Sequence, residues 1–399
     1  MKIHPIYPHL LGWLLYGTLS TLLTPNAGFA QTAYVRSDHV NSVIYQGGDM
    51  HINELSLPLN GSWHSADLTQ MTGAPLTIAG ISVSDAAEPS GYVRSDNVNA
   101  VVYRAQSDHI FELSLPLGGS WSAGDLTALT GAPLASNGPV GYRRSDNVNA
   151  VLFVGLNSHI YEMSLPLNGA WKVADLTTLT GAPLASGAPA AYVRSDNVNA
   201  VVYRASNGHI HEMSLPLKGS WSDGDLTQLT NAPAGGSAPF GYRRSDNVNS
   251  VVYVGSGSSH VYELYLAPNS PWRVGDLTSA TGAPLAVTVP SAFVRSDQVN
   301  SVQYVGLDNQ IYELYLPLGG TAWQEGNLSG LTGAISAFPV GTIPTPAGYR
   351  RSDAVNSVVY CGYDEHIHEL YLPYGAPAWR TGDLSGLTGG GVCVAQIPE

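Results

Sequence analysis

Seven near copies of one segment, aromatic-x-Arg-Ser-Asp-x-Val-Asn-x-Val-x-aromatic, run through this chain and leave few architectures open to it. The copies start at Tyr34, Tyr92, Tyr142, Tyr192, Tyr242, Phe293 and Tyr349, so successive starts are 58, 50, 50, 50, 51 and 56 residues apart. Each copy is followed by His-Ile-x-Glu-Leu or a close variant, then a Trp, then Asp-Leu-Thr or a near copy. A period near 50 residues is the mark of a closed or stacked repeat architecture. Residues 31–399 therefore read as one repeat domain, although 399 residues would otherwise allow two or three.

Within repeat four, Tyr192-Val193-Arg194 is a short extended segment stopped by the turn cluster Ser195-Asp196-Asn197. Asn199 to Arg204 is β-rich and almost continuously apolar, and Ser206-Asn207-Gly208 makes the next turn. His209 to Leu215 is a third strand ended by Pro216, and Trp221 opens a fourth extended stretch through Asp225-Leu226-Thr227. No helical stretch of useful length is expected. The second strand is apolar on both faces, so each small sheet must be packed between two neighbours. Four-stranded sheets repeated radially make a β-propeller, and seven repeats predict an all-β, seven-bladed ring with four antiparallel strands per blade. A linear β-solenoid is the main competitor, but its coils are much shorter than this repeat. The seven Trp residues of the repeats, Trp63, Trp121, Trp171, Trp221, Trp272, Trp323 and Trp379, are expected between blades. Two ways of closing the ring stay open: repeat and blade coincide, or Val392-Cys393-Val394 adds a closing strand.

Residues 1–30 read as a secretory signal peptide. Lys2 supplies a weak positive charge, Leu10 to Leu23 is apolar, and Gly28-Phe29-Ala30 offers a cleavage point after Ala30. A retained membrane anchor fits less well, because the run is short and broken by Pro25. The expected location is secreted or periplasmic. In such a compartment the only two cysteines, Cys361 and Cys393, either form a disulfide or remain as buried thiols. The formal net charge of -13 makes nucleic acid and anionic membrane poor partners.

The Arg of each copy recurs with a Glu 18 or 19 residues on, from Arg36/Glu54 to Arg351/Glu369. A guanidinium and a carboxylate inside a blade stack pair because neither is buried alone. The alternative is a polar cluster that hydrogen-bonds a neutral polyol. The Asp of Arg-Ser-Asp reads as an Asx-turn residue, bonding the backbone two positions on. It lacks the dense oxygen-ligand spacing of a calcium loop. One His opens the third strand of every repeat except the sixth, which has Gln310. His209/His211 and His366/His368 sit two apart on one strand face, within reach of a metal, but hydrogen bonding at the strand start is the favoured role. No metal or other cofactor is expected.

An enzyme needs one irreplaceable constellation, whereas every acid, base and hydroxyl here is copied about seven times. Gly-x-Ser-x-Gly, His-Glu-x-x-His and P-loop motifs do not occur. Repeated aromatic and polar sites on a rigid ring suit multivalent binding, in which several weak sites gain avidity together. Sugars suit this chemistry, their C–H patches against aromatic faces and their hydroxyls on Arg, Asp, Asn, Glu and His. The repeats also alternate. Val93/Arg104 and Val193/Arg204 are inverted to Arg143/Val154 and Arg243/Val254, repeat seven has Arg350/Cys361, and Val35/Gln46 and Val294/Val305 lack Arg. The alternation predicts two or more classes of groove between blades.

The ordered motif from Tyr192-Val193-Arg194-Ser195-Asp196 through His209-Ile210-His211-Glu212 and Trp221 to Asp225-Leu226-Thr227 resembles the Photorhabdus-type seven-bladed fucose lectins. The likeness covers about residues 34 to 390. It implies pockets between blades that bind L-fucose, and in some members O-methylated sugars. It also implies host-glycan recognition, homo-oligomers and no catalysis. The candidate sugar-binding set is then the Arg, His, Glu and Trp of five repeats. These are Arg94, His109, Glu112 and Trp121; Arg144, His159, Glu162 and Trp171; Arg194, His209, Glu212 and Trp221; Arg244, His260, Glu263 and Trp272; and Arg351, His366, Glu369 and Trp379. Repeat six departs from the pattern with Gln310 and Asn327, and repeat one with Asn53. The insertion from Thr77 to Ser90 and the linker from Ala334 to Ala347 are expected to reshape two grooves. The competing readings are a protein-interaction scaffold and an enzyme with a site at the central channel.

Overall fold

The computed structural model describes residues 31–78, 89–337 and 345–393. The expected signal peptide, most of the Thr77–Ser90 segment and half of the Ala334–Ala347 segment lie outside the described residues. Among the described residues no helix is long and apolar enough to cross a membrane.

The first repeat builds β1 (Gln31–Val35), β2 (Asn41–Gln46), β3 (Ile52–Leu57) and β4 (His64–Asp67), followed by the short helix α1 (Leu68–Thr72). The strands pair antiparallel in the order β1-β2-β3-β4, and the other six repeats build the same sheet. Blades are numbered one to seven in chain order. The innermost strands touch in sequence around the ring, and β1 also meets the innermost strand of blade seven, Ala347–Arg350. The fold is a seven-bladed β-propeller. Every blade draws its four strands from a single repeat, so repeat and blade coincide, and among the described residues, which end at Cys393, no further strand joins blade one.

The strand burial follows the sequence pattern. The second strand of blade two, Asn99–Arg104, is buried throughout, as a strand covered on both faces requires. The third, Ile110–Leu115, keeps Phe111 and Ser114 half-exposed. The fourth, Ser122–Asp125, lies at the outer edge and is largely exposed. Seven apolar clusters fill the gaps between adjacent blades. In each, the opening aromatic of one blade meets the core of the next, as Tyr142 of blade three meets Val201, Tyr203 and Met213 of blade four, with Trp221 packed against them. The last cluster joins Tyr349 and Val359 of blade seven to Val43, Tyr45 and Leu55 of blade one, with Trp63 at its margin. The expected placement of Trp between blades holds at every junction.

The helix in each repeat departs from the sequence expectation. The fourth strand of blade four stops at Asp225, and Leu226–Thr230 is a five-residue helix. The three residues of Asp-Leu-Thr explain it. Asp225 caps the helix, its Oδ1 accepting from the Gln228 N–H at 2.8 Å. Leu226 is buried in the core, and the Thr227 hydroxyl accepts from the Ile210 N–H at 2.8 Å. Asn231, in the left-handed region at φ 55°, ends the helix.

Cys361 and Cys393 are joined by a disulfide, with 6.0 Å between their α-carbons. It fixes the final segment to the second strand of blade seven. That segment also bridges to blade one, where the Gly48 N–H donates to the Val392 carbonyl at 2.9 Å.

Candidate functional site

The Arg-Ser-Asp-x-Val-Asn segment forms the turn between the first and second strands at one end of every blade. In blade two the Arg94 N–H donates to the Val98 carbonyl at 2.8 Å, and Asn97 takes the left-handed conformation at φ 62°. Asn tolerates that region better than most residues do. The Asp bonds the backbone two positions on in blades three, five and seven, as at Val148 N–H to Asp146 Oδ1, 3.4 Å. Its stronger role is a two-pronged ion pair with the Arg two residues earlier. Arg94 Nε and Nη2 reach Asp96 Oδ1 and Oδ2 at 3.2 and 2.7 Å.

The same motif joins neighbouring blades. The Ser95 N–H donates to Asn149 Oδ1 of blade three at 2.7 Å. Equivalent bonds run from Ser37 to Asn99, Ser145 to Asn199, Ser195 to Asn249, Ser245 to Asn300 and Ser296 to Asn356. The seventh, Ser352 to Asn41, closes the circle at 2.7 Å.

The remaining prong of each Arg reaches the buried Glu of its own blade. Arg94 Nη1 lies 3.1 Å from Glu112 Oε2, and the other six pairs are at 3.2 to 3.4 Å. Ser42, Ser250, Ser301 and Ser357 also donate to the Glu of their blades. Ala100, Ala150 and Ala200 stand there in blades two, three and four. Burial pushes the Glu162 and Glu212 carboxyls up to about 7, and the attraction of Arg144 and Arg194 only partly offsets it. Burial also raises the opening tyrosines Tyr92, Tyr142, Tyr192 and Tyr349 well above the usual phenol range, with the nearby Glu adding to the effect.

In blades five, six and seven the Arg faces the Trp of the next blade. Arg244, Arg295 and Arg351 lie over Trp323, Trp379 and Trp63 at 5.8, 5.7 and 5.9 Å from the ring centres. Each guanidinium has five N–H groups and commits three of them to Asp and Glu, leaving two. The Trp rings are half-buried in all seven blades. Between blades four and five this end opens into a cleft of about 550 Å³. Arg194, Ser195 and Asp196 line one wall, and Arg243, Asn247, Asn249 and the Leu266–Ser270 turn line the other. Asp196 is half-exposed there.

The histidines of the candidate set stand elsewhere. His109 opens the third strand and Glu112 follows three residues later, about 10 Å along it. His109 Nδ1 meets Asp125 Oδ2 at 2.7 Å, where Asp125 caps the short helix. His51, His159, His209, His260 and His366 pair with Asp67, Asp175, Asp225, Asp276 and Asp383 at 2.6 to 2.9 Å. In blade six Asn327 donates to Gln310 instead, so the two departures of that repeat form one pair. The structure thus brings Arg, Glu and the following blade's Trp together at one end, and sets His with Asp at the other.

The alternating Arg positions also separate. Arg143, Arg243 and Arg350 are exposed at the groove end. Arg104 lies at the far end of its second strand, buried, with Asp108 Oδ1 at 2.6 Å from Nη2. Arg204 there bonds the Gly235 carbonyl and the Ser186 hydroxyl. The central channel is a separate space of about 160 Å³, lined by Gln31, Ser90, Ser291 and mainly small apolar residues.

No family model matches the chain, and no curated protein does. Solved structures do resemble it. AofleA from Arthrobotrys oligospora is 14% identical, with a TM-score of 0.50 over 74% of this chain and 85% of its own. SapL1 lectin, solved with alpha methyl fucoside, is 15% identical, with a TM-score of 0.48 over 79% and 99%. The Aleuria aurantia lectin, a fungal six-bladed β-propeller, is 14% identical, with a TM-score of 0.47 over 78% and 96%. At such identities the likeness speaks to the fold alone, and the Photorhabdus-type resemblance rests on the repeat motif.

Proposed function

We infer that the protein is a non-enzymatic, multivalent glycan-binding protein whose sites are the grooves at the Arg/Trp end of adjacent blades. The observation that carries this reading is the groove itself. A half-buried Trp from one blade sits beside an Arg from the previous blade, locked in orientation by Asp and Glu and keeping two N–H donors. An apolar ring face beside fixed donors and a partly exposed Asp (Asp246, Asp297 or Asp353) matches the two-sided surface of a sugar ring. The arrangement recurs at three junctions, which suits avidity for a branched or clustered ligand.

Fucosylated glycans, with O-methylated sugars beside them, are the ligand class that the motif's resemblance to the Photorhabdus-type lectins supplies. The exposed Arg143, Arg243 and Arg350 divide the grooves into those with an extra cation on the downstream wall and those with Val35, Val93, Val193 or Val294 there. Export through residues 1–30 belongs to the same proposal, and N-terminal sequencing of the secreted chain tests it.

A second reading, docking of another protein, draws support from Leu59, Leu117, Leu167, Leu217 and Leu318, each more than half exposed in the turn after the third strand. A glycan array followed by calorimetric titration with L-fucose separates the two. The glycan reading expects saturable binding at more than one site per chain, with one site lost in Trp323→Ala. Failure to bind any fucosylated or O-methylated glycan overturns it.

A further inference from the structure

Blade four carries a side-chain group that no other blade repeats. His211 occupies a third-strand position held by aromatic or Asn residues in five blades, such as Phe111 and Tyr161. Asp223 occupies a fourth-strand position held elsewhere by residues such as Ser65, Val173 and Thr381. His209 and His211 are two apart and so share a strand face. Asp225 lies directly across from His211. One ring nitrogen from each His and one carboxylate oxygen of Asp225 fall within 4.8 Å of one another.

The His211 side chain is 6% exposed, and its two nitrogens are treated differently. Nδ1 meets Asp223 Oδ2 at 2.9 Å. Nε2 is buried and has no hydrogen-bond partner. It faces Asp225 Oδ2 at 3.6 Å, an oxygen that His209 Nδ1 already engages at 2.6 Å. A buried, unpartnered ring nitrogen is costly, and such groups are rare. A carboxylate on Nδ1 fixes the tautomer that leaves Nε2 with a free lone pair. That is the arrangement that orients histidines for metal binding.

The geometry points to a divalent transition-metal site of the Zn²⁺ class in blade four, with His209, His211 and Asp225 as ligands and Asp223 orienting His211. Two imidazoles and one carboxylate suit a borderline cation, whereas Ca²⁺ and Mg²⁺ select oxygen donors. The His209 side chain is 36% exposed, which gives the ion an entry path and leaves a fourth position to water. Blade seven provides the internal comparison. It has His366 and His368, but Thr381 replaces Asp223, and His368 Nε2 is already held by Asp364 at 2.9 and 3.1 Å.

The test is a calorimetric titration of Zn²⁺ into the full, metal-stripped chain, with zinc content per chain measured after desalting. One equivalent is expected. It is lost in His211→Tyr, a side chain that blades three, five and six carry at this position, and in Asp225→Asn, the cap that blade six carries. Asp223→Ala weakens it about 10–100-fold. No retained zinc in the parent chain overturns the proposal, as does zinc unchanged in both His211→Tyr and Asp225→Asn. Loss of the equivalent in His368→Tyr with retention in His211→Tyr also overturns it.

Discussion

The side-chain amide of Asn327 donates to the Gln310 carbonyl oxygen at the place where Asp175 meets His159 in blade three. Both partners have changed together, and the link between the third strand and the helix cap is kept. Asn327 Oδ1 still caps the helix through the Gly330 N–H at 2.7 Å. The His–Asp pair is therefore a fastening that a neutral amide pair can replace.

Transplanting that pair into blade three tests the equivalence. His159→Gln with Asp175→Asn should unfold at nearly the parent's urea midpoint, while each single change leaves a mismatched partner. A double-mutant cycle should show coupling of about 0.5–3 kcal/mol. Simple additivity of the two single effects would count against the pairing.

The carboxylates set opposing pH trends. For Asp175, burial raises the carboxyl, but the Thr178 N–H and His159 outweigh it and hold it below its ordinary 3.8. Its stabilisation is present above that value and is lost as pH falls through the lowered one. Glu162 and Glu212 shift the other way, from 4.5 to about 7. Their contribution is complete below 4.5 and is lost as pH rises through about 7. His366 is raised mainly by its bond to Asp383, so it too favours the folded state more in acid than in base. Melting temperature should therefore peak in the mildly acidic range and decline on both sides. A profile flat from pH 4 to 8 would contradict this balance.

Asn199→Ala should cost about 1–3 kcal/mol, because it strips the Oδ1 acceptor from the Ser145 N–H in the junction between blades three and four. The same change at Asn249 or Asn300 should cost a similar amount, since the bonds there are also 2.7 Å. Denaturant midpoints for the three variants decide it. A large effect at one junction and none at the others would show that the clasps are not equivalent.

Reducing the Cys361–Cys393 bond should lower stability by about 2–4 kcal/mol. The loss should appear first where the tail spans blades seven and one, at the Gly48 N–H. Hydrogen exchange with and without reductant measures it. Unchanged protection at Gly48 would mean that the tail holds without its bridge.

The blade was legible because its signals are local. The doubly buried second strand, the turn at Ser195-Asp196-Asn197 and the recurring Trp each sit within a few residues of what they specify. The helix Leu226–Thr230 was missed because five residues give no periodicity, although Asp225 before it and Asn231 after it were both in view as capping residue types. The Ser–Asn clasp was missed for the opposite reason, since its partners lie 54 to 62 residues apart at six junctions and 311 apart at the seventh. In the sequence the Arg/Val alternation looks like one groove property. Its two positions close opposite ends of antiparallel strands, so only Arg143, Arg243 and Arg350 stand at the groove end. His109 and Glu112 share a strand, and sequence alone gave no sign that they serve different ends of it.

Because the Ser–Asn clasp has the same form at all seven junctions, including Ser352 to Asn41, the junction between blades seven and one differs only in the disulfide-anchored tail laid across it. Among the described residues no strand crosses from one repeat into another blade. The natural ends are thus a matter of where the polypeptide happens to be open. Joining them and cutting the chain at the linker near Gly187 would present the same seven sheets in a new order. By the same logic, whole repeats, rather than single strands, are the pieces by which such a ring can be lengthened, shortened or shuffled.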